Sequence, residues 1–397
     1  MRLLGVELRW LDLHLRTAQR TAYGAVAHRP VVLARVVTDV GEGWGECAAL
    51  AEPTYSEEYA QGAWDVLAEH LVPRFLAAPP PLDSALGGPE APGGNAGCEG
   101  AVDDDGIVVT LGRWVQGALA GIRGHRMARA CLEMAVVDAA LRAQGCSLAR
   151  ALGVDARSVE AGAVVGLCDD LGLLVDEVGQ LVAQGYRRVK LKIAPGWDRA
   201  PLETLRTHFA DLGLQADANG AYDPGSWQDL VALDRFGLLC LEQPYDPEDL
   251  RAHAALSRVL ATPVCLDESV TSLARLEEAL ALGACDVVCV KPGPLGGLSV
   301  ALGVHRRCRR AGVPLWVGGM YETGLARAAN AALSGLPGFD LPGDLDGGDR
   351  FVEGDPSGAL AVTGGRAPVW DAPGVGPPPA AGALQAVSAR VCWLPAA

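Results

Sequence analysis

Five short apolar runs, each ending in a charged residue, decide how this chain is read: Val189-Lys190-Leu191-Lys192, Leu214-Gln215-Ala216-Asp217, Leu238-Leu239-Cys240-Leu241-Glu242, Val264-Cys265-Leu266-Asp267 and Asp286-Val287-Val288-Cys289-Val290-Lys291. The terminal charges recur at intervals of 25, 25, 25 and 24 residues. Runs rich in Val, Leu and Cys are what buried parallel strands require. Glu160–Val165 and Val313–Val317 extend the series at either end, and helical runs such as Leu171–Ala183 and Ser272–Leu282 lie between the strands. Seven strand–helix repeats imply a parallel barrel, an α/β fold whose active sites gather at the carboxyl ends of the strands. Lys192, Asp217, Glu242, Asp267 and Lys291 should therefore converge on one mouth.

Charges at the ends of apolar strands are costly unless they are paired or bind something. Three carboxylates flanked by lysines ask for a cation between them. Asp217, Glu242 and Asp267 offer only oxygen, which suits a hard divalent ion such as Mg2+, with Mn2+ as a substitute. The plainer alternative is that the acids merely cap neighbouring helices, and the even spacing speaks against it. Only three of the 33 basic residues are lysine, namely Lys190, Lys192 and Lys291. A lysine kept in so arginine-biased a chain points to work a guanidinium cannot do, which is to lose a proton near neutral pH. Lys190 and Lys192 lie two apart on one strand and share a face, so each should lower the pKa of the other. A metal ion with lysines on both flanks suits proton abstraction α to a carboxylate.

Outside the barrel, Leu3–Arg16 alternates apolar and polar residues, and Val31–Val37 leads through a turn into Gly41–Glu46, as an antiparallel meander would. Helical spacing runs over Glu57–Leu76 and again over residues 125–152, where Met127, Cys131, Met134, Ala135 and Val137–Ala139 form an apolar face. Residues 77–106, rich in Gly, Pro and Ala, read as a flexible surface insertion, and Asp103-Asp104-Asp105 within it as a solvated charge run.

The chain has 397 residues and is 50% hydrophobic and 20% charged, which excludes a disulfide miniprotein and a disordered chain and leaves room for a barrel with a second, smaller domain. A formal charge of −15 opposes nucleic acid and anionic membranes as partners and favours a small-molecule site. The start lacks the apolar run of a signal peptide, and no window suits a membrane span, so a cytoplasmic protein is expected. Eleven cysteines with no Cys-x-x-Cys pair read as buried reduced thiols.

Taken in order and spacing, Lys190-Leu191-Lys192, Asp217-Ala218-Asn219, Glu242-Gln243-Pro244, Asp267-Glu268-Ser269, Lys291-Pro292-Gly293 and Gly318-Gly319-Met320-Tyr321-Glu322-Thr323-Gly324 resemble the enolase superfamily, and within it the o-succinylbenzoate synthase and N-acylamino-acid (N-succinylamino-acid) racemase branch. The resemblance implies a modified TIM barrel, (β/α)7β, with an α+β capping domain formed by the N-terminal region and the C-terminal segment. The expected division is 1–125 for the cap, 126–335 for the barrel, and 336–397 for the last barrel strand and the returning segment. It implies magnesium on Asp217, Glu242 and Asp267, with Lys192 and Lys291 as the acid/base or electrostatic pair. A capping loop around Arg20–Gly24 would close over the substrate. Asn219, Gly318, Gly319, Met320, Glu322, Thr323 and Tyr23 become candidates for substrate contact, with Lys190 beside the catalytic pair. The implied reaction is a syn dehydration of menaquinone biosynthesis, with α-proton abstraction by Lys192 and enediolate stabilisation by Lys291. Racemisation of an N-acylamino acid is the alternative, and homo-oligomers are common in the family.

Racemising members often carry an arginine three positions after the sixth-strand lysine. Here that position is Pro294, which favours the synthase. Asp344-Leu345-Asp346 is similar to the Asp-x-Asp with which dipeptide epimerases hold a substrate amine. Mandelate-racemase-like chemistry needs a histidine base where this chain has Trp316-Val317-Gly318. A catalytically silent carboxylate binder on the same barrel is the reading from a different class, and the five intact positions weigh against it.

Overall fold

The computed structural model describes residues 2–78, 106–358 and 360–396. Apart from its ends, the insertion expected at 77–106, with Asp103–Asp105, lies outside them.

An antiparallel sheet opens the chain: β1 (Leu3–Thr21), β2 (Gly24–Thr38) and β3 (Gly41–Cys47). Over the middle of β1 the side chains alternate, with Leu11, Leu13 and Leu15 buried and Asp12 and His14 exposed. This is the period of two expected of a sheet with one wet face. Pairing between β1 and β2 is regular down to His14 opposite His28, shifts, and resumes at Gln19 opposite Val26 before the turn at Thr21–Gly24.

Helical structure over Glu57–Leu76 is found as Ala60–Val66, a π-helical turn Leu67–Leu71, and Val72–Ala77. Pro73, which has no N–H to give the helix, stands at the start of the last segment, where such a bulge absorbs the missing bond.

The barrel is built from eight parallel strands: β4 (Ser158–Val165), β5 (Arg188–Lys192), β6 (Gly213–Asp217), β7 (Leu241–Glu242), β8 (Val264–Leu266), β9 (Val287–Val290), β10 (Leu315–Val317) and β11 (Gly343–Asp344). Helices follow the first seven, among them Leu171–Ala183 and Leu273–Leu282, whose N-termini are capped by Asp170 and Ser272. Several strands are shorter than the apolar runs: β7 and β10 begin later than their runs, and β8 and β9 stop before Asp267 and Lys291 at the mouth. Between β10 and β11 the barrel closes through the connecting chain, with Leu315 N donating to Gly338 O at 3.1 Å and Asp340 N to Leu315 O at 3.0 Å. The (β/α)7β barrel with a separate α+β layer is thus the architecture observed.

C-terminal chain returns to the first sheet. β12 (Val352–Glu353) pairs with β1 at His14–Leu15, β13 (Arg366–Pro368) adds to β4, and β14 (Ser388–Pro395) pairs with β1 from Gly5–Pro395 to Leu11–Ser388.

The helix Arg126–Ala143 lies between sheet and barrel and is buried on nearly every side, not on the single apolar face its spacing suggested. Even its acids are enclosed, and each is fully used. Glu133 accepts from Ser299 N at 2.7 Å and Ser299 Oγ at 2.9 Å, at the start of the helix Leu298–Ala311. Asp138 accepts from Trp44 N at 2.8 Å, Val375 N at 2.7 Å and Arg142 Nε at 2.7 Å, which ties the first sheet, the helix and the C-terminal chain to one carboxylate. The close approach of sheet to helix requires Gly43 and Gly45. A Cβ on Gly45 would stand 2.0 Å from Cys131 O, with no flexible side chain there to yield. Gly45→Ala should therefore lower the stability of the folded chain by about 2–3 kcal/mol through overpacking, read as a lower urea midpoint with an unchanged slope.

Candidate active site

Lys192, Asp217 and Glu242 are the last residues of β5, β6 and β7 and stand in one row, Lys192 opposite Asp217 and Asp217 opposite Glu242. Asp267 follows β8, and Lys291 follows β9. All five are buried, as is Lys190. β5 and β9 are the second and sixth of eight strands, so the two lysines enter the mouth from opposite walls.

The acids and lysines satisfy one another. Lys192 Nζ donates to Asp217 Oδ2 at 2.5 Å and Asn219 Oδ1 at 2.8 Å, and Lys291 Nζ to Asp267 Oδ2 at 2.6 Å. Lys190 Nζ lies 2.6 Å from Asp344 Oδ2 and 3.2 Å from both Asp217 Oδ2 and Glu242 Oε2, and 4.7 Å from the centre of the Trp316 ring. Backbone strain gathers at the same place. Asn219, Gln243 and Tyr321 have φ of 44°, 38° and 57°, three of the four positive values on non-glycine residues among the described residues.

The lowering expected between the lysines is present as repulsion but is outweighed by the acids around them. Burial lowers the pKa of Lys192 and Lys190 repels it, but Asp217 and Glu242 outweigh both, and Lys192 is raised. Lys190 and Lys291 are likewise raised against burial, Lys190 chiefly by Asp344 and Glu242 and Lys291 chiefly by Asp267. Asp217 is held below the carboxylate range by Lys192 and Lys190 in spite of burial. Glu242 goes the other way, pushed well up by burial and the charge of Asp217.

The donor set fits a hard divalent cation. Three buried carboxylates crowd one floor, Glu268 is pushed up to about 7 by burial and the charges of Asp267 and Asp217, and Glu268 Oε2 is buried with no hydrogen-bond partner. Glu242, Asp267 and Cys289 each place a ligand atom within 4.8 Å of the others, while Asp217 is drawn toward the lysines.

Above this floor a cavity of about 440 Å³ opens. Lys190, Lys192, Asn219 and Lys291 form its base, Gly319, Met320 and Tyr321 one wall, and Thr21, Tyr23 and His28 of the β1–β2 hairpin its roof. Tyr23 OH donates to Glu268 Oε1 at 3.4 Å. Of the expected contacts, Gly318, Glu322 and Thr323 are not on the cavity wall. Gly318 N is spent on Val290 O, Glu322 accepts from Asn330, and Thr323 donates through N and Oγ1 to Glu46 of β3, the latter at 2.6 Å. A second cavity of about 300 Å³ reaches Lys291 from behind, past Tyr55, Glu268, Cys289 and Pro294.

Several site residues carried no sequence signal. Tyr55 donates to Asp267 Oδ1 at 3.1 Å and accepts from Lys291 at 3.1 Å. Arg29, buried in the cap, donates to Tyr321 O at 3.3 Å and Ala49 O at 2.8 Å. Arg327 lines the cavity. Glu268, beside a predicted ligand, was the one such residue its neighbour could have flagged.

The family described as Enolase C-terminal domain-like matches residues 173–380, which carry all five strand-end charges. The chain belongs to the enolase superfamily. Within the superfamily it is 43% identical over 395 residues to an N-succinylamino acid racemase from an Amycolatopsis species, covering 99% of this chain and 100% of that one. It is 38% identical over 373 residues to an o-succinylbenzoate synthase from Geobacillus stearothermophilus, covering 94% and 92%. A solved structure described as a probable mandelate racemase from Alicyclobacillus acidocaldarius superposes with a TM-score of 0.85 at 37% identity and 99% coverage of both chains. The chain is an enzyme of the superfamily branch that these synthase and racemase relatives represent. Among its described residues no helix is long and apolar enough to cross a membrane.

Glu46 joins the cap to the mouth of this enolase-superfamily barrel, and its carboxyl is pushed up to about 7 by burial. Its folded value lies above its ordinary one, so its contribution to stability is full at low pH and is lost as pH rises from about 4.5 toward 7. Urea midpoints of wild type and Glu46→Gln should therefore differ more in favour of wild type at pH 5 than at pH 8.

Proposed function

We propose that the chain is a magnesium-dependent o-succinylbenzoate synthase, acting in the cytoplasm in menaquinone biosynthesis, which dehydrates a cyclohexadiene carboxylate to 2-succinylbenzoate. The observation that carries this reading is the pair of buried lysines entering one cavity floor from opposite walls above three carboxylates. Asp217, Glu242 and Asp267, with Glu268 beside them, would hold the ion. When bound, Mg2+ supplies charge neutralisation for a substrate carboxylate that gains negative charge as its α-proton leaves.

The protein's own side chains do the rest. Lys192, oriented by Asn219 Oδ1 at 2.8 Å, takes the α-proton and returns it to the departing hydroxyl on the same face, which makes the elimination syn. Lys291 stays protonated, and its charge offsets that of the enediolate; Tyr55 OH, accepting from Lys291, fixes the ammonium in place. The hairpin carrying Tyr23 lines the cavity from above.

Racemisation of an N-succinylamino acid is a second reading, favoured by the opposed lysines and by the Amycolatopsis relative. One lysine would remove the α-proton and the other deliver a proton to the opposite face. Pro294 favours the synthase. The dipeptide-epimerase reading is disfavoured because Asp344 is already paired with Arg188 at 2.5 Å and with Lys190, and Asp346 with Arg350 at 2.8 Å and Val164 N. Chemistry of the mandelate-racemase kind is disfavoured because the seventh barrel strand carries buried Trp316 where that chemistry places a histidine.

With purified protein and Mg2+, dehydration should far exceed racemisation; comparable or dominant racemisation would place the enzyme in amino-acid metabolism. Lys192→Arg should lower kcat for both reactions at least about 100-fold, because a guanidinium cannot act as a base near neutral pH. Asp267→Asn should weaken Mg2+ binding in titration calorimetry, and unchanged affinity would remove Asp267 from the ligand set.

A further inference from the structure

At the edge of the cavity roof, the wet face of the first sheet carries a second group of metal-ligating side chains. Asp12 and His14 stand two apart on β1 and point outward together, and His28 on β2 is the direct register partner of His14. One ligand atom from each lies within 4.8 Å of the other two, the imidazole centres are 5.2 Å apart, and His28 Nε2 is in contact with Asp12 Oδ1. On the other side of β1, Glu353 of β12 is in register with His14, so its side chain leaves the sheet on the same face. A His28–Asp12 hydrogen bond accounts for two of these groups. It gives no reason for a second imidazole against the first, nor for an acid across from it.

We propose that Asp12, His14 and His28 form a surface site for a borderline divalent transition metal, with Zn2+ as the fitting ion and Glu353 or water as the fourth donor. Two imidazoles and a carboxylate select Zn2+ over Mg2+, which the all-oxygen floor of the barrel prefers. Exposed side chains need only small χ rotations to bring the three atoms to bonds of about 2.0–2.2 Å. The position gives the ion a structural consequence. His14–His28 is the last regular pair before the β1–β2 register shifts, and beyond it the chain runs to the hairpin tip, with Thr21, Tyr23 and His28 all on the cavity roof. A metal there clamps the two strands at the base of that roof.

The test is binding, not turnover, so it stands apart from the reaction assigned to the barrel. Titrate the purified full chain with Zn2+ in excess Mg2+, which fills the oxygen site. One Zn2+ per chain should bind, and hydrogen exchange across residues 15–27 should slow. His14→Ala and His28→Ala should each weaken binding at least about tenfold and abolish the slowing. Their melting in EDTA should match wild type, since both residues are exposed. Co2+ in place of Zn2+ should give a spectrum without a thiolate charge-transfer band. Zn2+ uptake unchanged in both variants, Zn2+ displaced by Mg2+, or a thiolate band from Co2+ would each overturn the assignment.

Discussion

Everything at the mouth of the barrel depends on burying Lys190, Lys192 and Lys291 beside four carboxylates, Asp217, Glu242, Asp267 and Asp344. Singly, each of these charges would be prohibitively expensive in a protein interior. Together they are tolerable because each ammonium has an acid within hydrogen-bond reach: Lys192 with Asp217, Lys291 with Asp267, and Lys190 with Asp344. The same compensation makes the site reactive. Any cation or carboxylate that enters must displace an existing partner, so ligand binding redistributes protons among groups already set against each other.

The cap is not a separate cover laid on the barrel. Arg29 and Glu46, both buried in the first sheet, bond to Tyr321 and Thr323 in the loop after β10, so the cavity wall formed by Gly319–Tyr321 is held from above as much as from below. Behind them Asp138 ties β3, the central helix and the C-terminal chain to one carboxylate. Small shifts in the cap are thereby passed to the cavity wall through short, buried, charge-assisted bonds.

The barrel and its strand-end acids and lysines were legible because they obey a period: one apolar strand and one polar terminus every 24 or 25 residues. Arginine bias singled out the three lysines independently. What escaped was whatever depends on contact between distant segments. Tyr55 sits in an irregular stretch and matters only because the cap brings it against Lys291. Glu322 and Thr323 closely follow Gly319–Tyr321, which line the cavity, yet their side chains turn back to Asn330 and Glu46. The direction of the lysine shifts escaped for a related reason, since spacing shows Lys190 next to Lys192 but not that Asp217 and Asp344 stand closer still. The central helix was read as one-faced because periodicity reports apolar residues, whereas Glu133 and Asp138 are buried through hydrogen bonds.

The pairing of β14 with β1 sets an order of assembly. Most barrel contacts join neighbours in sequence, each strand to the next, with β11 on β4 the exception, and so close shorter loops than the first sheet does. The first sheet is different: Gly5 meets Pro395, so its outer strand must wait until the whole intervening chain has been synthesised and the largest loop in the molecule closed. During synthesis the charged mouth thus takes shape beneath a cap that lacks an outer strand, and β1 carries an open edge. For that interval a nascent chain exposes a backbone template to its neighbours.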